Sequence, residues 1–193
     1  MGEIAIITGA SEGLGAAIAT VLAKEVTALG HSLIIHQSNP LITPRCYIHL
    51  IWPFLQGVTV ILVARRLELL EQVASMIKEK GGRALVKVAD VTCKEQVKSM
   101  GRWVREEVGL PTILVNNAGT GKQAEFATLQ PEDWEPVIDL NIKAGLLCIG
   151  EFLAEMKEAK KGHIVNITSI FERSTMAGAS VYGATKHFWG GRF

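Results

Sequence analysis

Five short apolar runs, separated by stretches of helical character, constrain this chain more than anything else in it. Residues 4–7, 58–64, 84–89, 112–115 and 163–168 read as strands, with little of the in–out alternation of a half-exposed sheet. Strands that are apolar on both faces belong to a parallel sheet covered by two layers of helix. Helical spacing fills 16–25, 67–80, 94–108 and a long stretch within 131–160. The second of these closes on Gly81-Gly82, a helix-stop pair. Pro131 suits the start of the last, where its missing N–H is harmless. Pro136 removes a hydrogen bond there if it falls beyond the first turn. The alternation predicts one doubly wound α/β domain over residues 1–193, with right-handed crossovers.

A balance of 20 basic against 19 acidic side chains, net +1, argues against a nucleic-acid partner, which needs a concentrated basic face. Cys46, Cys93 and Cys148 are odd in number and form no C-x-x-C pair. They read as free thiols of a reducing compartment, so the expected location is cytoplasmic. The N-terminus leads straight into the first strand, without the pattern of a targeting segment. The charge-free run 46–64 has the length of a membrane span, but Pro53, Gln56 and Gly57 interrupt it, and a buried strand is the expected reading of its second half.

Residues 26–56 do not fit the alternation. They hold one charged residue, Arg45, against 38 in the other 162 positions, with three of the six prolines and three of the five histidines. A helix-to-strand connection in such folds takes about 2–6 residues. The segment begins with Val, whose codons start GT, and ends with Gln, one of whose codons is CAG. A translated intron kept in frame fits these boundaries, and so does a genuine surface lobe. Its His31, His36, Cys46 and His49 look superficially metal-like, but H-x4-H and C-x2-H match no common zinc spacing, and no metal site is expected.

Chemistry concentrates after the strands. Thr8-Gly9-Ala10-Ser11-Glu12-Gly13-Leu14-Gly15 is a glycine turn between the first strand and first helix. Glycines there let backbone approach a pyrophosphate, which the helix N-terminus attracts. Asn116-Asn117-Ala118-Gly119 follows the fourth strand, Asn141 lies in the long helix, and Ser169 follows the fifth strand. Tyr182 and Lys186, four apart, share one helix face 13 residues beyond Ser169. In this order and spacing the motifs TGxxxGxG, NNAG, Asn, Ser and YxxxK resemble the short-chain dehydrogenase/reductase family, over residues 4–186 apart from 26–56.

The resemblance implies a Rossmann-like sheet, a nicotinamide cofactor and the catalytic set Asn141, Ser169, Tyr182 and Lys186. Tyr182 would give a proton to a carbonyl oxygen, its phenolate favoured by the Lys186 ammonium. Ser169 would hold that oxygen, and Asn141 would hold a water linking Lys186 to solvent. Gly9, Ser11, Glu12, Gly13, Leu14, Gly15, Asp90, Val91, Asn117, Ala118 and Gly119 would line the cofactor with Tyr182 and Lys186. The second strand ends in Arg65-Arg66 without an acid, which favours NADP. Arg65 lies 50 residues after Gly15, or 19 once 26–56 is set aside, close to the usual interval of about 20, and is the expected reader of the 2′-phosphate. Glu12 stands where many NADP-preferring relatives carry a basic residue.

Against the family pattern the chain ends seven residues after Lys186, so the family's part beyond about 188, with its substrate loop and much of its dimer surface, is expected to be missing. Three readings follow. The first is an NADP-dependent reductase or dehydrogenase of small carbonyl or alcohol substrates, resembling members acting on 3-hydroxy acids, with a 3-oxoacyl reductase as the enzyme alternative. The second is a nucleotide-binding fragment without turnover. The third is a reductase anchored to a membrane by 26–56. A homo-oligomer is what the family implies.

Overall fold

The first strand shows how the sheet acquires two buried faces. In the computed structural model, which describes residues 2–24, 57–174 and 176–190, β1 (Ile4–Thr8) is buried along its whole length. Successive side chains of a strand point to opposite faces. Ala5 and Ile7 accordingly pack with Val60, Leu62 and the inner residues of α1 (Gly13–Ala23) and α2 (Leu67–Glu79). Ile4 and Ile6 join Ile61, Val63 and the inner residues of α3 (Lys94–Glu107) and α5 (Ala144–Glu158), among them Met100 and Phe152.

The other strands are β2 (Thr59–Ala64), β3 (Arg83–Val88), β4 (Ile113–Asn116) and β5 (His163–Asn166). All pairings are parallel, in the order β3-β2-β1-β4-β5. This is the expected doubly wound, Rossmann-like sheet. The order reverses direction at β1, between β2 and β4, and a crevice for ligands forms at such a switch point, outside the carboxyl ends of the strands.

The long helix expected within 131–160 is instead three pieces. α4 (Pro131–Ile138) starts at Pro131 and contains Pro136. A π-turn, Asp139–Lys143, follows, in which the Ala144 N–H bonds to the Asp139 carbonyl five residues back, and α5 completes the run. Apolar spacing continues across the break, so periodicity could not reveal it. A salt-bridge fork anchors α5: Arg105 of α3 meets Glu155 at 2.5 Å, and the Glu151 carboxylate and carbonyl each at 2.8 Å. The last helix is α6 (Ser180–Phe188).

Segment 26–56 and its His31, His36, Cys46 and His49 lie outside the described residues. The residues bordering it meet: the Gly57 N–H donates to the Lys24 carbonyl at 3.4 Å. Among the described residues no helix is long and apolar enough to cross a membrane.

Candidate active site

At two of its glycines the turn after β1 has no room for a larger residue. Gly9 has φ +66°, and a Cβ there would stand 2.9 Å from Ala118 Cα and from Asn117 Nδ2. At Gly15 a Cβ would collide with the Gly9 carbonyl. Gly13, φ +57°, faces open space instead. No side chain caps the start of α1, and its first turn carries no acidic residue. A cradle with one open side, floored by helix N–H groups at the positive end of a dipole, suits a pyrophosphate.

Two side chains lock this turn to the end of β4. The Thr8 hydroxyl accepts the N–H groups of Asn117 and Ala118, each at 3.1 Å, and donates to Val115. Asn117 returns the contact, its Nδ2 donating to the carbonyls of Thr8 and Gly9 at 3.0 and 3.2 Å. The side chain of Asn117 therefore braces the cradle. Sequence reading placed Asn117 among the cofactor residues and gave Thr8 no role.

Of the two arginines after β2, Arg66 reaches the turn. Its Nη2 lies 3.5 Å from Ser11 Oγ and 2.5 Å from the Glu12 carboxylate. Arg65 acts on the other side, its charge helping to hold the Asp90 carboxyl below the usual range, although the Thr92 hydroxyl bonded to that carboxylate is the main cause. Asp90 Oδ1 accepts both the N–H and the hydroxyl of Thr92, at 2.9 and 2.7 Å, so its side chain shapes the loop after β3. Val91 is buried beside it, in the core on the α3 and α5 face.

The proposed catalytic residues converge on the carboxyl ends of β4 and β5. Ser169 opens a short 3-10 helix, Ile170–Glu172, its Oγ accepting the Phe171 N–H at 3.4 Å. The Phe171 ring packs edge-on against Tyr182, with centroids 5.7 Å apart. Another neighbour of Tyr182 is Gly121, where a Cβ would stand 3.1 Å from the ring. Lys186, only 6% exposed, donates from Nζ to the Ile167 carbonyl at 2.9 Å, with Nζ 5.8 Å from the Tyr182 ring centroid. A Cβ on Gly119 would lie 3.4 Å from that Nζ, so Lys186 borders both the loop after β4 and Tyr182.

Asn141 is buried in the π-turn and ties the loop after β4 to α6. Its Oδ1 accepts the Thr120 N–H, and its Nδ2 donates to the Thr120 carbonyl and to Thr185 Oγ1, all at 2.8–2.9 Å. Thr185 in turn donates to the Tyr182 carbonyl at 2.7 Å. Neither Thr120 nor Thr185 was singled out from sequence. The signal for Thr185 was its place inside YxxxK, beside the lysine.

Burial pushes the Lys186 ammonium below its usual range. The folded chain then binds this proton less readily than the unfolded chain, so stability rises with pH between the depressed value and 10.5. Lys186→Met is expected to flatten that part of the profile, read as the difference between wild-type and variant urea melts across alkaline pH.

The sequence pattern of the family described as short chain dehydrogenase matches residues 54–191. An uncharacterized oxidoreductase of Listeria monocytogenes is 31% identical over 184 residues, 95% of this chain and 62% of that protein. Glycine betaine reductase of Emericella nidulans is 32% identical over 187 residues, 97% of this chain and 12% of a much longer protein. The chain thus spans under two thirds of either curated relative. Among solved structures, a metagenomic short-chain oxidoreductase in complex with NADP superposes with a TM-score of 0.75 at 31% identity, covering 95% of this chain and 70% of that one.

Proposed function

The chain belongs to the short-chain dehydrogenase family, and on that premise we propose that it is an NADP(H)-dependent oxidoreductase acting on a small carbonyl or secondary alcohol. The observation that carries the reading is Lys186: one buried ammonium borders both the Gly119 loop and Tyr182. The glycine cradle, Ser11 and Arg66 would hold the dinucleotide. Bound there, the nicotinamide supplies or accepts the hydride. The chain's own residues handle the proton and the oxygen. Tyr182 gives its phenolic proton to the substrate oxygen as that oxygen gains charge. Ser169 donates a hydrogen bond to the same oxygen and stabilises it. Lys186 favours the phenolate left behind and orients the cofactor side. Asn141 holds the loop and the helix in register; in this reading it also supports a water between Lys186 and solvent. By resemblance the substrate class is a 3-hydroxy acid or its 3-oxo counterpart.

Arg66 is the reader of the 2′-phosphate, with Glu12 restraining it. In a fluorescence titration the full chain is expected to bind NADPH more tightly than NADH. Arg66→Ala weakens NADPH about tenfold or more, the scale of one lost charge-assisted bond, and leaves NADH nearly unchanged. Glu12→Gln acts the other way, tightening NADPH roughly two- to fivefold, since an exposed ion pair is worth about 1 kcal/mol or less. Equal affinity for both nucleotides in all three proteins would remove NADP from the proposal. NADPH binding with no reduction of a 3-oxo ester such as ethyl acetoacetate would reduce it to a nucleotide-binding module.

A further inference from the structure

Trp189 stands immediately after α6, outside every motif read from the sequence. Its indole Nε1–H donates to the main-chain carbonyl of Asn141 at 2.7 Å, and the residue is 8% exposed. The ring lies against α5 at Gly145, where a Cβ would stand 2.6 Å from Trp189 Cζ2 and 2.9 Å from Cη2. Alanine is the better helix former at such a position, so the missing side chain serves the ring and works against the helix. Asn141 is also bonded to Thr185. The π-turn therefore grips α6 at two points, Thr185 and Trp189, and Lys186 lies between them.

We infer that Trp189, seated in the notch at Gly145, is a positioning residue that holds Lys186, and through it Tyr182, in the geometry needed for proton transfer. The inference rests on the reading of Tyr182 and Lys186 given above and adds the device that orders them. A lysine side chain loses much rotamer freedom when held in one place. A two-point grip on its helix supplies that order before a substrate arrives.

Two substitutions in the full chain test it. Trp189→Phe keeps an aromatic ring for the notch and deletes the indole N–H. Gly145→Ala pushes the ring off the carbonyl from the other side. Competitive acetylation, read lysine by lysine by mass spectrometry, is expected to show Lys186 labelling raised about fivefold in either variant, the scale of one net hydrogen bond. The double variant rises no further, because both changes break the same link. With ethyl acetoacetate and NADPH, kcat falls by a similar factor while KM and NADPH affinity stay the same. Lys186 labelling that is unchanged in Trp189→Phe, or effects that simply add, overturns the clamp. So does a lowered melting temperature with labelling and kcat as in wild type, which makes Trp189 a packing residue only. A wild-type chain that reduces no carbonyl probe yet shows the labelling pattern fails the functional reading and leaves the clamp standing; turnover with unchanged labelling does the reverse.

Discussion

Tyr182→Phe is expected to lower kcat for reduction of a carbonyl probe by about 10²–10⁴-fold, the range for loss of a positioned general acid. The fold should not register the change. The ring contacts of Tyr182, edge-on to Phe171 and over Gly121, are available to phenylalanine as well. NADPH affinity should stay within about twofold, since one neutral hydrogen bond is at stake. A Phe variant with near-normal turnover would move the proton donor elsewhere, Ser169 being the next hydroxyl along the same site. Single-turnover kinetics with saturating NADPH separates a lost chemical step from slowed release.

Deleting residues 26–56 is expected to leave the domain folded and to stabilise it. The bordering residues already meet, with Gly57 N–H on the Lys24 carbonyl at 3.4 Å. One residue, Glu25, would then span what is an i to i+2 contact of the inverse γ-turn kind. Gly57, with φ +68°, supplies a left-handed conformation suited to leaving a helix. Closing a 31-residue connection costs about 3 kcal/mol of chain entropy. Its removal should raise the melting temperature by roughly 6–12 °C for a domain of this size. Calorimetry of the full and shortened chains checks this. A shortened chain that melts lower, or no longer folds, would make 26–56 a genuine lobe of the domain, and we propose the opposite: an insertion foreign to the fold.

The inner strands β1, β2 and β4 were legible in the sequence because burial on both faces keeps them almost wholly apolar, while the partly exposed edge strands β3 and β5 carry polar residues at their ends. The glycine turn, Asn117, Ser169, Tyr182 and Lys186 were singled out because their order resembles the family's motifs, and the fold sets them after strands or on α6. The interval from Gly15 singled out Arg65, whereas it is Arg66 that reaches Ser11 and Glu12. Adjacent residues leave a strand in opposite directions, and only the packing of β1 beside β2 decides which arginine faces Ser11. The break at Asp139–Lys143 was hidden because one extra residue in a helix leaves the apolar spacing almost unaltered. Trp189 was hidden for another reason: its partner is a backbone carbonyl 48 residues earlier, and backbone groups leave no mark in a sequence.

The hydroxyl of Thr8 joins residues 109 and 110 positions apart in the chain. The glycine turn looks local, yet its final shape waits for β4 to arrive beside β1. Loop closure over such a separation comes late and favours all-or-none completion. The nucleotide cradle is thus a product of the finished sheet, and a partly assembled chain offers no early foothold. Added nucleotide would then act at the end of folding, drawing completed molecules out of the equilibrium by mass action. Nucleotide-dependent protection of the amides of Asn117 and Ala118 would report, molecule by molecule, whether the sheet has closed.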